Sequence, residues 1–395
     1  MLGSSLRGMS DSARLALADG HDVLAFDSER PGVPDDLTDQ VRVLPTAWAS
    51  EFLDGIDRVV TSPWFSELRP PLSDAIDRGI DVYTEAAHGI DHLGLPYVAV
   101  TGTNGKTTVT EVAAEMLRAS GVDALAAGNI GTPVSALRND DAEILVLELS
   151  SYQLRFFPGL APKAAALLNL AEDHLDWHGT MEAYTSAKER ILTDDETATY
   201  AFNADDELVR TMARHHRGHL VPVSGARVPD GGNGVDRDTL VFDGRPVPVA
   251  ITDPTYRFDL VVAGTLALAV GGTLDGVASV AARFTPGAHR REVVGVSEGV
   301  VFVNDSKATN PHAAIAAARA YPSVVLLAGG RNKGLDLTPL GSLETVRAIV
   351  AFGESGPEIA AATERPVVVV PDIPSAVDAA IDLAEPGDTV LLSPG

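Results

Sequence analysis

Short apolar runs alternate with stretches of helical periodicity along most of this 395-residue chain. In the first 90 residues, three such runs predict parallel strands at 21–27 (HDVLAFD), 41–45 (VRVLP) and 56–62 (IDRVVTS). Further runs predict strands at 95–100, 144–149, 164–170, 300–303, 324–328, 348–352, 367–370 and 389–392. Strands that alternate with helices of this length are typical of parallel sheets with right-handed crossovers.

The pattern separates into three segments, which we interpret as domains over residues 1–90, 91–286 and 287–395. The middle segment contains a turn-rich insertion at 227–245, which predicts a short hairpin, and it ends in an alanine-rich helical stretch at 260–284.

Both ends of the chain are short for this pattern of strands and helices. Gly3 lies where a glycine turn should follow a first strand, and the chain stops at LLSPG directly after a predicted strand. We expect the polypeptide to be a trimmed or divergent version of a longer protein, with a truncated third domain.

Composition narrows the class of protein. Hydrophobic residues make up 45% of the chain, which indicates a globular protein, and no apolar stretch reaches membrane-spanning length. The first residues contain no secretory apolar region, so we expect a cytoplasmic location without membrane insertion. The absence of cysteine excludes disulfides, thiolate metal sites and cysteine nucleophiles. A net charge of −25 argues against a nucleic-acid groove, because phosphates need positive counter-charge.

Residues 101–108 read TGTNGKTT and lie between a predicted strand and a predicted helix at 109–121. Glycines in such a loop let successive backbone N–H groups point at one phosphate, while a lysine reaches the terminal phosphates and a hydroxyl binds magnesium. Gly-Lys-Thr strings also occur by chance in loops, but the flanking strand and helix favour ATP binding. The predicted nucleotide-binding residues are Gly102, Thr103, Asn104, Gly105, Lys106, Thr107 and Thr108.

Three other positions are candidates for metal or transfer chemistry. Glu148 ends a predicted strand, and α/β folds place ligand contacts at such strand ends. From its position alone, a solvent-exposed carboxylate without a ligand is as good an interpretation. His174 follows the next strand and lies between Asp173 and Asp176, which can orient it as a ligand. Lys188 shares a helical face with Tyr184, and its spacing alone favours a surface lysine paired with Glu189 or Glu182.

Seven strings then occur in order along the chain: TGTNGKTT, GNIG, LELSSYQL, NLAEDHLDWHGTMEAYTSAKERI, HRREVV, NDSKATNP and GGRNKG. Together they resemble the Mur ligases, and the resemblance covers nearly the whole chain. LELSSYQL and NDSKATNP favour the branch of that family that adds D-glutamate to UDP-N-acetylmuramoyl-L-alanine. The resemblance implies an α/β fold of three domains: an N-terminal Rossmann-like domain, a central P-loop ATPase domain with a mostly parallel sheet, and a C-terminal Rossmann-like domain.

The resemblance also implies roles at the nucleotide. Lys106 would contact the ATP phosphates, and Thr107 and Glu148 would hold one of two Mg²⁺ ions. His174 would hold the second ion. Lys188 resembles the family's carbamylated lysine, in which an amine becomes a carboxylate-like metal ligand. We therefore expect a metal ligand at this position rather than a surface lysine.

Other positions are implied to bind substrates. Asn129 resembles the residue near the muramoyl-alanine substrate, and Thr309 and Lys333 match positions that hold D-glutamate. Arg290, Asp305 and Lys307 match residues of the last domain that close over the nucleotide. Ser4 and Arg7 lie in GSSLRG, which stands at the glycine turn of the UDP-substrate domain. A monomeric enzyme of peptidoglycan precursor synthesis is implied, and hence roles in cell wall biogenesis, cell shape and cell division.

The implied reaction has two steps: the alanyl carboxylate attacks the γ-phosphate to give an acyl phosphate, and the amine of D-glutamate then displaces phosphate.

Three features of the sequence depart from the family pattern. GSSLRG has Ser5 in place of the middle glycine, the stretch 256–262 (YRFDLVV) has neither His nor Asn, and the tail stops at Gly395. Two alternatives therefore stay open: a related ATP-dependent amide ligase with a different acyl or amino-acid substrate, and a catalytically impaired nucleotide-binding homologue.

Overall fold

The computed structural model describes residues 7–62, 65–332 and 334–395, without the side chains of Arg7 and Asp176. Backbone contacts divide the chain into two compact units. The first unit comprises Met1–Leu170, Glu182–Ala250 and Arg257–Arg283, and the second comprises Ala171–Met181, Ile251–Tyr256 and Phe284–Gly395. The predicted division into three domains at 90 and 286 stays a prediction.

The first unit begins with two separate pairs of parallel strands. Its elements up to residue 93 are α1 (Arg7–Ala18), β1 (Val23–Ala25), β2 (Val41–Val43), β3 (Arg58–Thr61), α2 (Leu72–Asp77), β4 (Asp81–Thr84) and α3 (Glu85–Leu93). β1 pairs with β2, and β3 pairs with β4. α3 starts where the Thr84 hydroxyl accepts the Ala87 N–H, and it ends at Gly94, whose φ of 63° suits a left-handed helix cap. The strands predicted at 21–27, 41–45 and 56–62 are confirmed.

A six-stranded parallel sheet forms the centre of the first unit, in the order β10-β9-β8-β5-β7-β6. Its elements are β5 (Tyr97–Thr101), α4 (Lys106–Ala119), β6 (Ala124–Gly128), β7 (Ile144–Glu148), α5 (Ser151–Arg155), β8 (Ala164–Leu167), α7 (Met181–Glu189), β9 (Thr199–Asn203), α8 (Glu207–Ala213) and β10 (His219–Val223). β5, β7 and β8 are buried along their whole length, as their continuous apolar sequences predict. Within β5, Val98 lies opposite Val146 on one side and Ala164 on the other.

A small antiparallel sheet and two helices complete the first unit. They are β11 (Gly234–Asp236), β12 (Thr239–Phe242), β13 (Arg245–Pro248), α9 (Pro254–Ala269) and α10 (Leu274–Arg283). The first three residues of α9 are an exception and belong to the second unit. The hairpin predicted at 227–245 is present and gains a third strand. The helical stretch predicted at 260–284 forms two helices, because the chain turns at Gly271, whose φ is 102°, and the Gly272 N–H bonds back to the Ala267 carbonyl at 2.8 Å.

Gly264 lies in α9 against the small sheet, and we expect Gly264→Ala to destabilise the protein. A Cβ at this position would lie 2.5 Å from Cζ of Phe242, which is fully buried, and 3.1 Å from Val277. The gain of about 1 kcal/mol in helix propensity is smaller than the cost of about 1–3 kcal/mol for overpacking a core. Urea denaturation should therefore give a lower free energy of unfolding. Gly295→Ala is the control, because a Cβ there meets nothing within 4 Å; equal stability of both variants would contradict the packing argument.

The second unit contains a six-stranded sheet in the order β14-β15-β19-β16-β17-β18. Its elements are α6 (Leu175–His178), β14 (Glu292–Ser297), β15 (Val300–Asn304), α11 (Pro311–Ala318), β16 (Val324–Gly329), α12 (Thr338–Gly341), β17 (Val346–Phe352), α13 (Gly356–Ala361), β18 (Val367–Val370), α14 (Ile373–Leu383) and β19 (Thr389–Leu392). The sheet is parallel except for β14, which joins β15 through a tight turn at Glu298 and Gly299, both with positive φ. β14 is an edge strand with three exposed valines: Val293, Val294 and Val296.

The predicted α/β class with mainly parallel sheets is confirmed. None of the described helices combines the length and the apolar character needed to cross a membrane.

Candidate active site

The loop between β5 and α4 is held in a shape that only glycine permits at two positions. Gly102 has a φ of 158°, and a Cβ there would lie 2.8 Å from Cβ of Leu168. Gly105 has a φ of 86°, and a Cβ there would lie 2.9 Å from a carboxylate oxygen of Asp259. The backbone therefore packs directly onto the carboxyl end of β8 and onto α9.

Asn169 fixes the same loop from the segment after β8. Its side-chain oxygen accepts the Asn104 N–H at 2.8 Å, and its side-chain amide donates to the Asn104 carbonyl at 3.0 Å. Its own carbonyl accepts the Thr103 N–H at 2.9 Å. Sequence reasoning missed this residue, although a polar side chain just after a buried strand is a usable signal in a parallel sheet.

Lys106 opens α4 and reaches back across the loop. Its Nζ donates to the carbonyls of Gly102 at 3.0 Å and Thr103 at 2.8 Å. The amine, the positive end of the 14-residue helix α4 and the loop amides lie together, which is the arrangement that binds phosphate groups.

A buried carboxylate lies next to this loop. Glu148, at the end of β7, is 3% exposed, and its two oxygens accept the Thr107 hydroxyl and the Asn129 side-chain amide, both at 2.8 Å. Gly128, at the end of β6, lets the two strand ends approach closely, since a Cβ there would lie 2.4 Å from the backbone carbonyl oxygen of Glu148. Three residues singled out from sequence thus form one cluster at the carboxyl ends of β6 and β7.

Lys188 is buried beneath the phosphate loop. It is 2% exposed, and its Nζ donates to the Gly102 carbonyl at 2.7 Å. The amine lies 4.8 Å from the centre of the Tyr184 ring, and the Tyr184 hydroxyl shares a hydrogen bond of 3.0 Å with the Thr103 hydroxyl. The reading of Lys188 as a surface lysine paired with Glu182 or Glu189 is therefore wrong: helical spacing identifies the face but not whether that face is buried.

A cavity of about 280 Å³ opens at the carboxyl ends of β3, β4 and β6. Its lining includes Gly8, Thr61, Ser62, Thr84, Glu85 and Asn129. Burial raises the pKa of Glu85, although its carboxylate accepts the Ser135 N–H at 2.6 Å. Ligands of open α/β sheets bind at such strand ends. Ser4 lies outside the described residues, as does the side chain of Arg7.

His174 belongs to the second unit and has the partner expected from sequence. Its backbone is left-handed, with a φ of 55°, and its N–H donates to the Asp173 carboxylate at 2.9 Å. Nε2 of its ring lies 3.6 Å from the other Asp173 oxygen, which also accepts the Asn310 side-chain amide at 3.4 Å. Asp176 was also expected to orient His174, but its side chain lies outside the described residues.

Asp305, Lys307 and Thr309 also lie in the second unit, between β15 and α11. Asp305 is buried, and its carboxylate accepts the Arg291 N–H at 3.1 Å and the Ser393 hydroxyl at 3.2 Å. Burial raises the pKa of Asp305 against the opposing effect of Arg291. Lys307 and Thr309 are exposed.

Arg290 and Arg291 differ in their surroundings. The Arg290 carbonyl accepts the Tyr256 hydroxyl at 2.8 Å. Arg291, which sequence reasoning did not select, has a buried guanidinium that forms an ion pair with Asp253 and bonds to the Thr255 hydroxyl at 3.2 Å. Lys333, the other expected amino-acid contact, lies outside the described residues.

The described residues contain no group of three or more His, Cys, Asp or Glu side chains arranged to hold a metal ion. The oxygen donors of Glu148 and Thr107 nevertheless touch each other at 2.8 Å, and they are of the kind that Mg²⁺ prefers. Mg²⁺ usually takes only one or two protein ligands and fills its octahedron with water and phosphate oxygens. The cluster around Glu148 therefore fits such an ion.

Two protein-family models match this chain. The model of the Mur ligase middle domain matches residues 100–226, and the model of the Mur ligase glutamate ligase domain matches residues 289–395. The phosphate loop, Glu148, His174 and Lys188 all lie in the first match.

Curated relatives match at higher coverage. UDP-N-acetylmuramoylalanine–D-glutamate ligase of Mycobacterium avium (strain 104) is 36% identical over 416 residues, which cover 90% of this chain and 83% of that protein. The enzyme of the same name from Thermobifida fusca (strain YX) is 41% identical over 374 residues, which cover 86% of this chain and 80% of that protein.

Solved structures share the fold. A pseudomurein peptide ligase type C from Methanothermus fervidus superimposes with a TM-score of 0.65 at 15% identity, covering 100% of this chain and 96% of that one. The MurF ligase of Thermotoga maritima in complex with ADP also gives 0.65, at 19% identity, covering 100% of this chain and 90% of that one. The matched domain models and the curated relatives establish that the chain belongs to the Mur ligase family.

Proposed function

We propose that this protein is an ATP-dependent ligase that joins D-glutamate to UDP-N-acetylmuramoyl-L-alanine in peptidoglycan precursor synthesis. The observation that carries the proposal is identity of 36–41%, over most of the chain, to ligases named for that reaction. The cluster of phosphate loop, buried Glu148 and buried Lys188 supports it, because these groups suit phosphoryl transfer. The division into domains at 1–90, 91–286 and 287–395, for UDP-substrate, ATP and amino acid respectively, is part of the proposal.

The chemistry accounts for the use of ATP. Amide formation from a free carboxylate is uphill in water, so the alanyl carboxylate first attacks the γ-phosphate. An O–P bond forms to the carboxylate, the bond to the β-phosphate oxygen breaks, and ADP leaves. The neutral amine of D-glutamate then attacks the acyl carbon, inorganic phosphate leaves, and the amine loses a proton. Lys106 and the loop amides counter the charge on the phosphates during the first step.

Two Mg²⁺ ions are assigned to the chain's own residues: Thr107 and Glu148 would hold one, and His174 would hold the second. A carbamylated Lys188 would serve as a further, carboxylate-like metal ligand. Bound Mg²⁺ supplies positive charge between a carboxylate and a phosphate that would otherwise repel each other. A lysine becomes a carbamate when the neutral form of its amine adds CO₂ and releases a proton. Asp173 orients the His174 ring for ligation.

The remaining assignments concern substrates. The cavity lined by Asn129 would receive the UDP-muramoyl substrate, with Ser4 and Arg7 near its phosphates. Thr309 and Lys333 would bind D-glutamate. Arg290, Asp305 and Lys307 would complete the nucleotide site when the C-terminal domain closes, and closure would exclude water from the acyl phosphate.

The deciding experiment measures phosphate release from ATP with UDP-N-acetylmuramoyl-L-alanine, with and without D-glutamate. We expect release that needs both substrates and a new amide product by mass spectrometry. Turnover that appears only with another acid or amine would assign a different ligase activity to the same site. No turnover with any acid and amine would indicate an impaired homologue.

Glu148→Gln should raise the Mg²⁺ concentration for half-maximal activity by about tenfold or more. Glutamine removes the negative charge, and its amide turns one acceptor into a donor that faces either the Thr107 hydroxyl or the Asn129 amide. The measurement is a Mg²⁺ titration of phosphate release. Glu143→Gln, on the exposed residue just before β7, is the matched control. An unchanged Mg²⁺ requirement in Glu148→Gln would remove Glu148 from the metal site.

Lys333→Ala should raise the KM for D-glutamate about tenfold or more while leaving the KM for ATP within about twofold, because the loss of an ammonium weakens carboxylate binding selectively. Both KM values are measured from initial rates, with D-glutamate and ATP varied in turn. Equal increases in both KM values would contradict the assignment.

A further inference from the structure

One short stretch of chain connects the cavity at the ends of β3, β4 and β6 with the carboxylate cluster around Glu148. Residues 129–133, which we call the cavity loop, follow β6 and lead into a 3-10 helix at Val134–Ala136. Four of its five residues line the cavity. Its first residue, Asn129, also donates to the Glu148 carboxylate. The position of the cavity loop therefore affects both the cavity and the carboxylate cluster.

The cavity loop buries little of its own surface. Each of its five residues is exposed or half-buried, whereas Val134 and Ser135, directly after it, are buried. A segment with few buried contacts opens at low cost unless other groups hold it. The bonds at the two ends of the cavity loop therefore determine its shape.

Two glutamates, one at each end, hold the cavity loop. At its start, the backbone N–H of Asn129 donates to the Glu148 carbonyl at 2.9 Å, and the side-chain amide donates to the Glu148 carboxylate at 2.8 Å. Just past its far end, the Ser135 N–H donates to the Glu85 carboxylate at 2.6 Å. The Ser135 hydroxyl also donates to the Gly8 carbonyl at 3.1 Å. Hydrogen bonds to a carboxylate are stronger than those between neutral groups, so the two glutamates make the main tethers.

The Glu85 side chain is itself fixed by close packing. Glu85 is the first residue of α3, and a Cβ at Gly8 of α1 would lie only 3.2 Å from its Cγ. Gly89, one turn further along α3, lets the helix approach the same tether: a Cβ there would lie 2.7 Å from the Ser135 backbone nitrogen. The carboxylate is therefore held between α1, α3 and the 3-10 helix, with Ser135 directly in front of it.

We propose that Glu85 is a positioning residue of the UDP-substrate site, which holds the far end of the cavity loop and, through it, Asn129. This inference rests on the proposed function. A carboxylate that faced the diphosphate of such a substrate would repel it, whereas a carboxylate that accepts a backbone N–H orders the cavity wall. The role therefore requires an acceptor oxygen at this place and not a negative charge.

Hydrogen exchange of the ligand-free chain tests the tether directly. Glu85→Ala removes the acceptor and should speed exchange in segment 129–136 about tenfold, while segment 346–352 stays unchanged. Glu85→Gln keeps one acceptor oxygen of the same reach, and its exchange in segment 129–136 should stay within about threefold of the unaltered chain. Unchanged exchange in Glu85→Ala would overturn the proposal.

Isothermal titration calorimetry with UDP-N-acetylmuramoyl-L-alanine and, separately, with ADP tests the consequence for binding. Glu85→Ala should weaken binding of the UDP substrate about tenfold and leave ADP within about twofold, whereas Glu85→Gln should bind both within about threefold of the unaltered chain. Glu51→Ala, which removes an exposed glutamate of the same unit, is the matched control and should change neither affinity.

Two binding results would overturn the proposal. If Glu85→Gln bound the UDP substrate as weakly as Glu85→Ala, the negative charge and not the acceptor would matter. An equal loss of affinity for ADP would indicate a general loss of structure. If the unaltered chain bound ADP but not the UDP substrate, the proposed function would fail, and the exchange measurement would still decide whether Glu85 holds the cavity loop.

Discussion

Lys106→Ala should abolish ATP-dependent phosphate release, with kcat lowered by about 10³-fold. The amine lies at the amino end of α4 and bridges the loop carbonyls of Gly102 and Thr103. Alanine leaves the loop amides in place but removes the mobile positive charge that follows the phosphates as negative charge shifts toward the β-phosphate oxygen. The effect should therefore fall on kcat more than on nucleotide affinity.

Lys163→Ala is the control for this prediction, because Lys163 is an exposed lysine of the same unit that lies just before β8. Phosphate release under single-turnover conditions measures the chemical step, and a urea titration checks that Lys106→Ala remains folded. If Lys106→Ala released phosphate at a rate within tenfold of the unaltered chain, Lys106 would have no role in the phosphoryl-transfer step.

Lys188→Ala should lower activity by about 10²-fold or more, and acetate or another short carboxylic acid should restore part of it. The buried amine donates to the Gly102 carbonyl at 2.7 Å. As a carbamate, the side chain would present oxygens instead of an ammonium, and alanine leaves space in which a small carboxylate can take that place. Lys188→Arg should be as inactive but not restored, because a guanidinium fills the space and cannot become a carbamate.

Activity in increasing acetate, with chloride as the ionic-strength control, distinguishes the outcomes. An active Lys188→Ala enzyme that is insensitive to acetate would remove the carbamate from the mechanism. Because Lys188 is only 2% exposed, the free energy of unfolding of each variant should be measured alongside, so that loss of fold is separated from loss of chemistry.

The buried parallel strands could be predicted because both of their faces are covered. β5, β7 and β8 read as uninterrupted apolar runs, and each occurs where it was expected. β6 (ALAAG) was not predicted, since alanine and glycine have weak strand preference. β9 (TYAFN) was missed although threonine, tyrosine and phenylalanine favour strands. β14 was not predicted because its sequence, EVVGVS, lies exposed at a sheet edge, where pairing with β15 rather than burial forms the strand.

Only the part of the site that lies in one contiguous stretch of sequence could be predicted. The loop glycines and Lys106 follow from a contiguous string. The contacts of Glu148 with Thr107 and Asn129 join the ends of β6 and β7 to the first turn of α4, and the burial of Lys188 depends on packing against residues more than 80 positions away. Such contacts are set by the sheet order, which no single segment encodes.

The outer strand β14 has consequences for how copies of this protein behave together in solution. Val293, Val294 and Val296 are 58%, 60% and 68% exposed, and an apolar edge strand is a template for pairing with another chain. Glu292 and Glu298 flank it, and the net charge of −25 makes copies repel each other. Salt shortens the range of that repulsion from about 30 Å at 0.01 M to about 8 Å at 0.15 M. Colloidal stability should therefore decline as ionic strength rises, with light scattering increasing in concentrated, salted samples before any loss of helix or sheet.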